Sequence, residues 1–202
     1  MRRFFLIALA HACAVAGVGA ETQTEADEYT RYELLAPDSA QFHILYEVTA
    51  TTPGATLFFN PIRKGSTASG EAVYDRHTGR PLAFEVVSGV QARAEGYAEA
   101  DPDTPYIKIK LARPVPTQGE TRLLIEKTYK DAKSYLQQGD QIVFSRSLGI
   151  KRNAVVLPAG YELVACNVPS QVRREADGRI VVSFMNPLPA EAPLVVKGRR
   201  LP

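Results

Sequence analysis

The sequence contains no tryptophan, three histidines and two cysteines among its 202 residues. Each scarcity removes a class of chemistry. Without tryptophan, a sugar-stacking face loses its usual platform, although nine tyrosines keep a carbohydrate-binding module among the alternatives. HExxH and GxSxG do not occur, nor does a Walker-type phosphate loop or a GxGxxG following a strand. Those absences exclude the common helical zinc-protease site, the hydrolase nucleophile elbow and the nucleotide-binding loops. The apolar run within residues 1–20 is broken by His11 and falls short of the roughly 20 residues that a stable membrane helix needs.

That run has the make-up of an export signal. Arg2 and Arg3 precede it, and Val18-Gly19-Ala20 offers the small residues that a leader peptidase reads, so cleavage after Ala20 is expected. Two variants fit less well. Arg2-Arg3 lacks the flanking polar residues of a twin-arginine signal, and Ala10-His11-Ala12 lacks the large aliphatic residue that precedes a lipid-modified cysteine at Cys13. The expected location is the periplasm or the extracellular space, with no stable membrane insertion once the signal is gone. Cleavage also takes away His11 and Cys13, leaving His43, His77 and Cys166. A single cysteine permits no internal disulfide, so packing alone must hold the fold. The 24 basic residues, less Arg2 and Arg3, match the 22 acidic ones. A near-neutral chain gives no electrostatic footprint for nucleic acid.

Residues 21–30, beginning ETQTEADE, are acidic and aperiodic and read as a flexible lead-in to a single domain over 31–202. From there the hydrophobic period is close to two. In QFHILYEV (41–48), Phe42, Ile44, Tyr46 and Val48 share one face, which is the pattern of a half-buried strand. Further short β-rich runs cover 56–59, 71–75, 81–87, 106–112, 121–129, 141–145, 154–157, 161–168, 179–184 and 193–198. Glycines at 79, 119, 139, 160 and 178 punctuate them where tight reversals need positive φ. The pattern predicts an all-β fold, an antiparallel β-sandwich of about ten to twelve short strands. A division into two packed halves near 116–120 stays open, as does one short helix or turn near 130–138 in TYKDAKSYLQQ.

Two polar loops draw attention. NPIRKGSTASG (60–70) is the longest irregular segment and reads as a solvated loop, with Arg63 and Lys64 at its centre as the candidate partner contact. GYAEADPDTP (96–105) places Glu99, Asp101 and Asp103 at alternate positions, a weak calcium candidate, since hard cations take several carboxylate oxygens. His77, in YDRHTGRP, fits a hairpin loop in which Asp75 caps the turn and Gly79 supplies the bulge. His43 sits on the polar side of its strand as an exposed cross-strand contact. A zinc site would have to gather His43, His77, Cys166 and a carboxylate from separate elements, and nothing in the spacing does so. In YELVACNV (161–168), alternation places Val164, Cys166 and Val168 inward, so Cys166 reads as a small core residue with no adjacent cation to activate its thiol.

Turn chemistry in the C-terminal half supplies a resemblance. Gly119-Glu120 opening a strand, the Pro158-Ala159-Gly160-Tyr161 step and the Asn167-Val168-Pro169 step resemble the all-β N-terminal domain of zinc aminopeptidases of the aminopeptidase N type. The likeness covers about half the mature chain. Catalysis in that family depends on HExxH with a distant glutamate, and on a glycine-alanine-methionine-glutamate-asparagine run that binds the substrate amine. Neither occurs in this sequence, so no catalytic or metal residue carries over. The resemblance implies the sandwich module standing alone, in a packing or recognition role.

The expected function is therefore an exported, non-catalytic module that binds another protein or an envelope component, without a cofactor. Its expected contacts are the Arg63-Lys64 loop and an exposed sheet edge near PLVVKGRR (193–200), where Arg199 and Arg200 would discourage edge pairing. The alternative is a small exported hydrolase drawing its acid and base from scattered Asp, Glu and His.

Overall fold

Alternating burial runs through nearly every element of the computed structural model, which describes residues 27–202. Residues 1–26, which hold the expected leader and the first part of the expected lead-in, lie outside the described residues. The strands are β1 (Tyr29–Leu34), β2 (Gln41–Ala50), β3 (Leu57–Pro61), β4 (Thr67–Asp75), β5 (Phe84–Val87), β6 (Tyr106–Lys110) and β7 (Thr121–Lys130). They continue as β8 (Tyr135–Gln138), β9 (Gln141–Leu148), β10 (Arg152–Val156), β11 (Tyr161–Cys166), β12 (Gln171–Arg174), β13 (Ile180–Met185) and β14 (Ala192–Arg200). One helix, α1 (Gly89–Ala94), and a 3-10 turn at Pro37–Ser39 are the only helical elements described.

The strands form three open sheets. A seven-stranded sheet runs β12-β13-β10-β1-β2-β7-β4, a four-stranded one β11-β14-β9-β8, and a three-stranded one β3-β6-β5. Every strand pair is antiparallel except β1 with β10. Inward residues of all three sheets meet in one core: Phe42, Ile44 and Ile125 from the large sheet, Phe144 and Leu194 from the second, Ile107 and Ile109 from the third. Phe42 is fully buried, with Phe144 edge-on at 5.3 Å and Tyr129 at 6.1 Å between ring centroids. Such edge-to-face pairs add to the area term that dominates the core.

The all-β layered fold is as expected, with every run read as a strand present and three more besides. The additional strands are β1, which begins inside the stretch read as lead-in, β8 and β12. The segment near 130–138 holds no helix. It is the end of β7, a turn whose backbone Asp131 caps through Lys133 and Ser134, and β8. The helix lies instead at Gly89–Ala94, where Ser88 and Gln91 form a reciprocal capping box. The turn after β4 is as expected, with Asp75 Oδ1 accepting from the backbone N–H groups of His77 and Thr78 and Gly79 at φ 70°.

Two readings need correction. The segment 60–70 is not one long loop, because β3 extends to Pro61 and β4 begins at Thr67. The stretch PLVVKGRR is not a sheet edge. It belongs to β14, which pairs with β11 on one side and β9 on the other.

Candidate functional site

Alternation continued one step too far explains the most consequential feature of the interior. In β7, Thr121, Leu123, Ile125, Lys127 and Tyr129 are buried in turn, and in β9 Ile142, Phe144, Arg146 and Leu148 are. A lysine and an arginine thus occupy inward positions, at 5% and 7% exposure. They line an open cleft of about 970 Å³. Its floor is the inner face of β1, β2 and β7, one wall is β3, and the other is the end of β9 with the loop that follows.

Lys127 Nζ donates to Asn60 Oδ1 at 2.6 Å and lies 5.2 Å from the centre of the Tyr129 ring. Burial pushes its ammonium down to about 8, Arg146 adds repulsion, and Glu71 on β4 opposes both. The Arg146 guanidinium packs over Phe42 at 5.3 Å and over Tyr129 at 5.5 Å. One of its terminal nitrogens reaches Asp131 Oδ2 and Ser134 Oγ, both at 3.3 Å, while its buried Nε has no partner. Burial also lowers Arg146 from its usual value, though a guanidinium keeps its proton in proteins. Burial works against the Asp131 carboxylate, but hydrogen bonds from Ser134 and Lys133 together with the Arg146 charge hold its pKa below the usual carboxylate value.

The expected partner contacts come to the mouth of this cleft. The Arg63 backbone N–H donates to Tyr129 Oη at 3.2 Å, and its guanidinium donates across to the Ser147 carbonyl at 2.9 Å. Lys64 pairs with Asp101 Oδ2 at 3.0 Å, with both side chains about half exposed. The Asp101 carboxyl is held down to about 2 by the Asp103 backbone N–H, the Lys64 ammonium and the Thr104 hydroxyl. Of the calcium candidates, Asp101 is therefore committed to a turn and an ion pair, while Glu99 and Asp103 are exposed. No three His, Cys, Asp or Glu side chains among the described residues are gathered to hold a metal ion.

The histidines do not line the cleft. His43 lies on the outer face of β2 opposite Glu33 and Thr128, and His77 sits in the turn after β4. Glu28, Glu95 and Glu191 do line it; the first accepts from Tyr46 Oη at 2.7 Å and the second pairs with Lys108 at 2.7 Å. Cys166 is partly buried against the main core, as are Leu163 and Val168, whereas Val164 is 46% exposed. A bulge between Leu163 and Ala165 in the pairing with β14 turns Val164 outward and restores Cys166 to the inner side, correcting the register read from simple alternation.

This fold occurs in known proteins. The chain superposes on an M1 zinc metallopeptidase from Deinococcus radiodurans with a TM-score of 0.52 and 11% identity, over 88% of this chain and 43% of that one. A mutant of that enzyme bound to a Tyr-Ser-Ala substrate gives a TM-score of 0.50 at 11% identity, with the same coverage. An aminopeptidase N family protein from Idiomarina loihiensis gives 0.48 at 10% identity, over 84% of this chain and 29% of that one. At such identities the likeness is one of fold. The chain spans less than half the length of these structures. No protein-family model matches the sequence, and no curated protein does.

Proposed function

We propose that the chain is an exported, non-catalytic sandwich module that binds a partner polypeptide in the cleft between its sheets. The observation that carries this reading is the cleft itself, about 970 Å³, open to solvent, with Arg63 and Lys64 at its mouth. Loops and clefts held by a rigid sandwich are where such folds place recognition. Export is supported by the arginines, apolar run and small-residue step of residues 1–20. A non-catalytic role is compatible with the likeness to less than half of a peptidase chain.

Affinity capture from the native envelope, followed by titration of the recovered protein in purified form, tests the proposal. The doubly substituted Arg63→Glu, Lys64→Glu chain should bind that protein at least about tenfold more weakly, the loss expected when two interfacial cations become anions. Undiminished affinity would move the contact away from the cleft mouth.

A further inference from the structure

We infer that the floor of the cleft is a carboxylate site, in which Lys127 and Arg146 receive the terminal carboxylate of a peptide segment. The inference deepens the peptide-docking reading above and rests on it for the nature of the ligand.

Lys127 and Arg146 stand against the same aromatic ring, Tyr129, and no ion pair to Lys127 exists among the described residues. Asn60 takes one of the three ammonium protons, which leaves two. A buried cation without a counter-ion is costly, and an inward valine or leucine at position 127 would continue the β7 pattern at no such cost. Arg146 has a counter-ion in Asp131, but its buried Nε is unpartnered. Tyr129 Oη accepts from the Arg63 backbone, so its own hydroxyl proton is free for a ligand. Donors thus converge from three side chains, with N–H and O–H groups left over after Asn60, Asp131 and Ser134 have taken theirs.

Charge balance selects the anion. Lys127 and Arg146 share one ion-paired carboxylate, the partly buried Asp131, so one positive charge of the buried pair is left without an ion-pair partner. A monoanionic carboxylate neutralises it, whereas a phosphate dianion leaves an excess negative charge against the buried floor. The remaining volume exceeds any small acid, and Phe58, Ile62 and Leu148 offer apolar wall for the residue that bears the carboxylate.

The charges acting on Lys127 are Arg146 from β9, which lowers its proton affinity, and Glu71 from β4, which raises it. A bound carboxylate acts in the same direction as Glu71. Binding should therefore take up protons between pH 8 and 9, and affinity should fall as pH rises above about 8.

The experiment is calorimetric titration of the full chain with an N-acetylated tripeptide ending in a free carboxylate, its C-terminal amide, acetate and inorganic phosphate. The free acid should bind at least about tenfold tighter than the amide, as expected for a charge-assisted pair. Lys127→Met, which keeps the volume and removes the charge, should abolish that preference and the proton uptake. The comparison of acid with amide on the unaltered chain holds even if the variant fails to fold. Equal binding of acid and amide would overturn the carboxylate site while leaving peptide docking intact. Binding of acetate without binding of either peptide would overturn the peptide ligand. Phosphate binding tighter than the free acid would overturn the choice of anion, and no binding at all would overturn the whole inference.

Discussion

Lys127 sets the residue scale. Its ammonium falls from 10.5 in an unfolded chain to about 8 in the fold, so the unfolded state holds more protons across that interval. Stability gained from losing this charge appears as pH rises from about 8 to 10.5, and below pH 8 the charge costs about 3 kcal/mol. Lys127→Met removes that cost but leaves Asn60 Oδ1 unpaired, a loss of about 1 kcal/mol. The variant should thus be about 2 kcal/mol more stable at pH 7, with the gain vanishing near pH 10, read from urea midpoints at both pH values. Stability gained by deleting a side chain would mark that residue as kept for something other than folding. The signal was present in the sequence. TRLLIEKTY and QIVFSRSL each continue an inward register through a cation, and counting one step beyond Ile125 and Phe144 reaches Lys127 and Arg146. Sequence could not tell that the two registers converge, because β7 and β9 lie in different sheets.

At the scale of elements, the legible strands were those with one wet and one buried face, of which β2 is the cleanest. Two of those missed had no such contrast: the four residues of β12 are all exposed, and β8 is four residues long with one buried. The missed β1 does alternate, with Arg31 and Glu33 at its outer positions, but it begins inside the acidic stretch read as lead-in. Arg31 makes two bonds to Glu175, at 2.9 and 2.8 Å, tying β1 to the turn after β12. Bulges were equally hidden, since nothing in YELVACNV announces that Val164 is unpaired. Helix α1 depends on a contact distant in sequence. A Cβ on Gly89 would run into the carbonyl of Asp101, in the loop that also holds Lys64. Gly89→Ala should therefore cost about 3 kcal/mol, the scale of overpacking against backbone. Thermal melts would measure it, with protection from hydrogen exchange falling first in residues 89–104.

Across the whole molecule, titration should produce a stability curve with its maximum near pH 9 to 10. On the acid side, Asp75, Asp101, Asp131, Glu175 and Asp177 have folded values below their unfolded ones. Their contribution is complete above about pH 5 and is lost as pH falls toward 2. On the alkaline side burial raises the phenols of Tyr32, Tyr46 and Tyr135, so stability declines once the unfolded tyrosines ionise above about pH 10. Lys127 supplies the rise between these limits. Urea unfolding from pH 3 to 11 should trace this shape, and in Lys127→Met the segment from pH 8 to 10 should be flat.

The parallel ladder that joins β1 to β10 pairs Tyr29 with Arg152 and Glu33 with Val156, in the middle of the seven-stranded sheet. Its consequence is one of timing. A ribosome must release more than a hundred further residues after Tyr29 before that ladder can begin. β1 and β2 can zip together as a local hairpin, but β7 must arrive from about 70 residues beyond β2 to join them, and the wing of β10, β13 and β12 attaches only once β10 reaches the free edge of β1. Non-local closure of this kind belongs to the slow end of folding, from milliseconds to seconds. The two larger sheets thus both wait for the end of the chain, one for β13 and the other for β14, and a chain in transit has an interval in which it is still a thread.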